Sequence, residues 1–148
     1  MAIYEGGCEC GAVRYRMTDD PMFVNCCHCR QCQKITGSAF AINGMIEADR
    51  LQIVEGGDKL SDGSRCSFSN TVLWGTHRFF GDGIKFVRLG TLDEAERIKP
   101  DAHFFTRSKH PWVTIPDDIP AFDTLPTDRD PPLMSAEATA RLEAARAS

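Results

Sequence analysis

Three cysteines within six residues constrain this chain more than any other stretch. Cys27-His28-Cys29-Arg30-Gln31-Cys32 has C-x-C-x-x-C spacing. Thiols so crowded suit a metal better than a disulfide, because a tight turn lets their sulfurs converge on one ion at about 2.3 Å. Tetrahedral zinc takes four ligands, and a structural site normally draws all four from protein. Three protein thiolates with one open position is the arrangement of a working zinc. The spacing leaves both readings standing: an open site, or a structural knuckle whose fourth ligand lies elsewhere.

The rest of the composition fits reduced, metal-binding cysteines. Seven is an odd number of cysteines, which does not make a complete disulfide framework. Met1 to Gly7 lacks the basic-then-apolar order of a secretory signal, so the expectation is a cytoplasmic protein whose thiols stay reduced. A formal net charge of −4 argues against nucleic acid as partner, since phosphate binding rests on clustered Lys and Arg. No run approaches the roughly 18 apolar residues of a membrane span. The chain has 148 residues, enough for one domain with a sizeable core.

Along the chain, turn signals recur at short intervals and only brief helices are credible. Ala12 to Arg16 alternates apolar and basic, the period of a half-buried strand. Phe23-Val24 leads as a strand into the knuckle, and a short helix is expected from Cys29 to Ile35, stopped by Gly37. Further strands are expected at Ser38–Ile42, Leu51–Val54 and Thr71–Trp74, at Ile84–Leu89 as the return of a hairpin, and at the edge from Ala102 to Thr106. Six of the eight prolines fall between Pro111 and Pro132, which predicts an extended wrap over the surface. The tail from Ser135 to Arg146 can form a helix with Ser135 as N-cap. The fold class is mainly β: small coiled β-sheets stapled by zinc-binding cysteine knuckles, with short helices only besides the C-terminal one. The expected division is a zinc-binding β domain over 1–132 and a helical tail over 133–148. Exposed strand edges in such a fold leave room for a homodimer.

A second pair, Cys8 and Cys10, sits among Gly6, Gly7 and Gly11, residues that permit the positive φ and close approach of a metal turn. Two groupings of the cysteines compete. In one, Cys8 and Cys10 join Cys66, and Cys27, Cys29 and Cys32 form a separate site. In the other, Cys8, Cys10, Cys29 and Cys32 make a single closed site, with Cys27 and Cys66 as ordinary buried residues. A third option has Cys26 as the knuckle's fourth ligand, against which adjacent residues of an extended segment point opposite ways. His28 meets the same objection, and is expected to orient the turn or face solvent.

Four motifs carry a resemblance over about residues 3 to 126. Gly6-Gly7-Cys8-Glu9-Cys10-Gly11-Ala12-Val13-Arg14-Tyr15 matches G-x-C-x-C-G-x-x-R-Y, and Cys27 to Phe40 matches C-H-C-x-x-C-Q-x-x-(T/S)-G-(S/T)-x-F. Val87 to Asp93 gives the third, and Lys99 to Phe105 with Ser108 to Trp112 gives the fourth. The chain thereby resembles the glutathione-dependent formaldehyde-activating enzyme family, grouped with centromere protein V, whose fold is of the Mss4-like kind. The resemblance implies a structural zinc on Cys8, Cys10 and Cys66 and an active-site zinc on Cys27, Cys29 and Cys32. It departs from the family at the second cysteine of F-C-x-x-C-G, where Ser69 stands, and at the following glycine, where Asn70 stands. A serine hydroxyl is a poor zinc ligand, so the structural site is expected to be weakened.

What the resemblance implies about activity is interconversion of S-hydroxymethylglutathione with glutathione and formaldehyde, formally a carbon–sulfur lyase reaction. Zinc is then the cofactor and a small thiol such as glutathione the partner. Three thiolates make zinc a weak Lewis acid for water but able to hold a thiol as its thiolate. No catalytic base stands out: His103 is a candidate, against its reading as a strand histidine with a structural hydrogen bond. Arg30, Lys34, Arg107 and Lys109 are candidates for attracting carboxylates. The rival class is a non-catalytic zinc-stabilised interaction module.

Overall fold

The computed structural model describes residues 2–147. The fold is mainly β, with small sheets and two α-helices among the described residues. Strands β1 (Tyr4–Gly7), β2 (Arg14–Met17) and β5 (Leu51–Glu55) form an antiparallel sheet in the order β1-β2-β5. A five-stranded sheet is built from β3 (Phe23–Cys27), β4 (Ala41–Glu47), β8 (Trp74–His77), β9 (Gly81–Arg88) and β10 (Ala102–Phe104), in the order β10-β3-β4-β9-β8. Its pairings are antiparallel except β10, which runs parallel to β3. A two-stranded ribbon joins β6 (Leu60–Ser61) to β7 (Arg65–Cys66).

The five-stranded sheet divides two cores, because successive side chains of a strand point to opposite faces. One face sends Val24, Ile46 and Val87 into a core shared with Tyr15 and Met17 of the first sheet. The other sends Phe23, Met45 and Ile84 against the C-terminal helix. That helix, α2 (Ala136–Ala147), starts where the Ser135 hydroxyl accepts the Ala138 N–H at 3.0 Å. It buries Ala138 and packs Leu142 and Ala145 on the sheet, and Arg141 donates to both carboxylate oxygens of Glu47 at 2.7 Å each. The proline-rich segment covers the outer edge of β10: His103 N–H donates to Pro120 O at 2.9 Å and Phe105 N–H to Thr124 O at 3.0 Å.

Several boundaries differ from the sequence-based expectation. β4 begins at Ala41 and β8 at Trp74, about three residues later than their alternating patterns start. The first strand, Tyr4–Gly7, was not expected at all, since its two glycines read as turn. Gly6 is there for space: a Cβ would meet Thr91 O at 2.6 Å and the Tyr15 ring at 2.8 Å. Gly11, at φ +82°, is the glycine that makes the turn.

Candidate metal centre

The knuckle is framed by an element on each side. β3 delivers Cys27 to the end of the sheet, and the next residue is pinned as His28 N–H donates to Phe104 O at 3.0 Å. Cys29 caps the helix α1 (Arg30–Thr36), its sulfur accepting the Cys32 N–H at 3.3 Å. Gly37 ends that helix in the left-handed conformation. The buried Gln33 amide rivets the turn, donating to His28 O at 2.8 Å and Ser108 O at 3.0 Å, while Arg30 donates to its oxygen.

This frame brings Cys27, Cys29 and Cys32 together. Their sulfurs all lie within 4.8 Å of one another, and Cys27 Sγ stands 3.4 Å from Cys29 Sγ. Among the described residues no fourth Cys, His, Asp or Glu joins the group. Cys27 is buried, while Cys29 and Cys32 are half-buried, so the group opens outward. Hydrogen bonding from Cys32 pushes the Cys27 thiol down to about 6, with the Arg88 guanidinium contributing. Cys32, giving that hydrogen bond, is pushed up. Three sulfurs packed this closely share their protons unequally, and a divalent cation relieves the conflict by taking all three as thiolates. The donor set fits zinc, which favours sulfur at three or four positions.

The second group forms where the turn after β1 meets the turn after β7. Cys8 Sγ is 3.6 Å from Cys10 Sγ, which is 3.7 Å from Cys66 Sγ. The single four-cysteine grouping is therefore not formed, and Cys66 is not a bystander. Ser69 sits beside Cys66: its N–H donates to the sulfur at 3.5 Å, and its hydroxyl also meets Thr71 Oγ1 at 2.9 Å. Ser69 hydrogen bonds push the Cys66 thiol down to about 6. Three sulfurs fit a zinc here too, with Ser69 rather than a fourth sulfur alongside.

Cys26 and His28 turn away from the knuckle. Cys26 occupies the opposite face of β3 from Cys27, and burial pushes its thiol up to about 12, so it is a protonated core residue. His28 does not face solvent; it is fully buried. Its Nε2 lies 2.9 Å from His103 Nδ1 and 3.7 Å from Cys26 Sγ, whereas its Nδ1 is buried without a partner. An unpartnered buried N–H is costlier than an unpartnered lone pair, so the proton sits on His28 Nε2 and is donated to His103. Burial, then the neighbouring His103, lowers His28 to about 4; burial lowers His103 as well. Both rings are neutral at pH 7. The structural reading of His103 is the one its geometry supports.

Sequence reasoning missed a polar row beside Cys27. Asn25 of β3, Asn43 of β4 and Arg88 of β9 are in register across three strands. Asn43 donates to Asn25 Oδ1 at 3.2 Å, and Arg88 donates to Asn43 Oδ1. The signal available was asparagine at buried positions of two mostly apolar strands. Of the residues put forward to attract carboxylates, Arg30 is engaged with Gln33, Lys109 with His110 O and Val113 O, and Arg107 lies over the Phe105 ring.

The family model for glutathione-dependent formaldehyde-activating enzyme matches residues 3–108. A Halomonas elongata protein, provisionally named a glutathione-dependent formaldehyde-activating enzyme, is 41% identical over 128 residues, 76% of this chain and 81% of that protein. A crystal structure of a Rhodobacter sphaeroides protein aligns with 17% identity and a TM-score of 0.45, covering 65% of this chain and 91% of that one. No described helix is long and apolar enough to cross a membrane. On the family match and the 41% relative, this chain belongs to the glutathione-dependent formaldehyde-activating enzyme family.

Proposed function

We propose that the protein is a zinc-dependent carbon–sulfur lyase acting on a thiol–aldehyde adduct of the S-hydroxymethylglutathione kind, in the cytoplasm. The observation that carries this reading is the outward-opening group Cys27, Cys29 and Cys32 with no fourth protein ligand among the described residues. The Halomonas elongata relative's name supports glutathione and formaldehyde as the reactants. Cys27, Cys29 and Cys32 would hold the ion, and zinc there would supply the positive charge that favours a thiol in its thiolate form. The chain's own parts keep the three sulfurs in place: the Gln33 rivet, the Cys29 cap and the neutral His28–His103 pair behind the turn. The reaction joins the thiol sulfur to the aldehyde carbon while the thiol proton ends on the aldehyde oxygen. Its reverse breaks the carbon–sulfur bond and returns the proton to sulfur. Cys8, Cys10 and Cys66 hold a second, structural zinc, weakened by Ser69.

The test is exchange spectroscopy on formaldehyde and glutathione with the zinc-loaded protein. Acceleration above the buffer rate, lost in Cys32→Ser, is expected. A fully loaded protein that leaves the buffer rate unchanged would overturn the lyase reading in favour of a non-catalytic module.

A further inference from the structure

We propose that Arg88, held by Asn43 and Asn25 on the same sheet face as Cys27, recognises the carboxylate of the incoming thiol and selects anionic thiols over neutral ones. This rests on the reading of the knuckle as a thiol site.

Register places the row. Asn25 is two residues before Cys27 on β3, so the two share a face, and Asn43 and Arg88 lie directly across from it on β4 and β9. With strands about 4.8 Å apart and a rise of about 3.3 Å per residue, the Arg88 backbone lies about 12 Å from that of Cys27. Its side chain reaches back across β4 to Asn43, which brings the guanidinium into the space between. A peptide thiol whose carboxylate is one residue removed from the sulfur spans what remains, since a residue extends about 3.5 Å.

Arg88 differs from the arginines that serve the fold as ion pairs, and unlike Arg30, which also meets a neutral amide, it lies on the Cys27 face of the sheet. The structural arginines of this fold meet carboxylates: Arg14 meets Asp93, Arg16 meets Glu5, and Arg141 meets Glu47. Arg88 is half-buried, yet its one side-chain hydrogen bond goes to a neutral amide, and it has no ion pair among the described residues. A guanidinium has five donors in a planar fork suited to a carboxylate. Arg88 stands near enough to Cys27 to help lower its thiol, and the donors it does not spend on Asn43 are available to a carboxylate arriving at the knuckle. The two asparagines explain the orientation. Asn43 spends its carbonyl on Arg88 and its amide on Asn25, so the row can close in only one direction. Asn43 and Asn25 are positioning residues, and Arg88 is the contact.

The experiment measures binding of glutathione and of 2-mercaptoethanol, a thiol without charge, to the zinc-loaded full chain by calorimetry. The wild type is expected to bind glutathione at least about tenfold more tightly, the range of one charge-assisted hydrogen bond. Arg88→Gln should abolish that preference, read as the ratio of the two affinities at measured zinc content, because Arg88 also bears on the Cys27 thiol and its loss shifts both thiols through the metal. Arg88→Lys, which keeps the charge but not the fork, should retain part of it, and it carries the comparison if the glutamine variant does not fold. A preference unaltered in both variants, or equal losses for both thiols, overturns the proposal, as does a wild type that binds neither thiol. An Arg88-dependent preference in a protein that does not accelerate formaldehyde exchange sustains this proposal and overturns the lyase reading alone. Accelerated exchange without Arg88 dependence does the reverse.

Discussion

Asn70 stands where the family has glycine, and its backbone explains how the turn survives. It sits at φ +62°, in the left-handed region, where asparagine is tolerated far better than other residues with a Cβ. Asn70→Gly should leave stability nearly unchanged, whereas Asn70→Ala should cost about 1 kcal/mol by denaturant titration. Equal effects from the two would show that the side chain, not the conformation, matters. The neighbouring departure is chemical. Ser69 is already hydrogen-bonded to the Cys66 sulfur, so a cysteine there needs no rearrangement of the turn. Ser69→Cys is therefore expected to raise affinity at the Cys8–Cys10–Cys66 group by at least about tenfold, by exchanging a poor ligand for a thiolate. Competition with a chromogenic chelator reads this directly, and unchanged affinity would mean that Ser69 lies outside the metal's reach.

The elements around the candidate site depend on one ion pair far from it. Glu47 on β4 receives both forks of Arg141 and so fixes α2 over the sheet. Burial raises the Glu47 carboxyl, but the Arg141 hydrogen bonds outweigh it and hold the group below its ordinary value. A carboxylate whose folded pKa is depressed stabilises above its unfolded pKa, and that contribution is lost as pH falls through the folded value. Stability should thus decline from about pH 4.5 downward. Glu47→Gln should lower it by about 1–3 kcal/mol at pH 7 and flatten the acid slope, a result that thermal melts across pH would check. How far these elements were legible in sequence follows the range of the forces involved. β3, the knuckle and α1 were read closely, because cysteine spacing and the Gly37 stop are local. The tail helix was read from Ser135 for the same reason. The strand at Tyr4 was hidden by Gly6, whose reason lies with Tyr15 and Thr91, 9 and 85 residues away, and by Gly7, whose Cβ would meet Val13 O. The parallel pairing of β10 with β3 joins segments 77 residues apart and leaves no periodic trace. The Asn25–Asn43–Arg88 row needs the register of three strands at once, so only coordinates reveal it.

Across the whole molecule the two cysteine groups close loops of very different size, and this separates stability from chemistry. Cys27 and Cys32 are neighbours in sequence, already held by α1 and its caps, so an ion there restricts the unfolded chain little. Cys10 and Cys66 are 56 residues apart, and their union ties the first sheet to the ribbon. By loop-closure entropy, a tie over that span restrains the unfolded chain by about 2 kcal/mol more than one across a knuckle. Cys10 is exposed, so Cys10→Ser leaves no cavity in either core. With excess zinc, Cys10→Ser should therefore lower unfolding stability by about 2 kcal/mol more than Cys32→Ser. Formaldehyde exchange should vanish in Cys32→Ser and persist in Cys10→Ser. Repeating the unfolding with a chelator present should bring the two variants together, since the stabilisation exists only while the ion is bound. If Cys32→Ser proves the more destabilised of the pair in zinc, the knuckle is the staple of this fold, and its open side is a by-product of position and not a place for substrate.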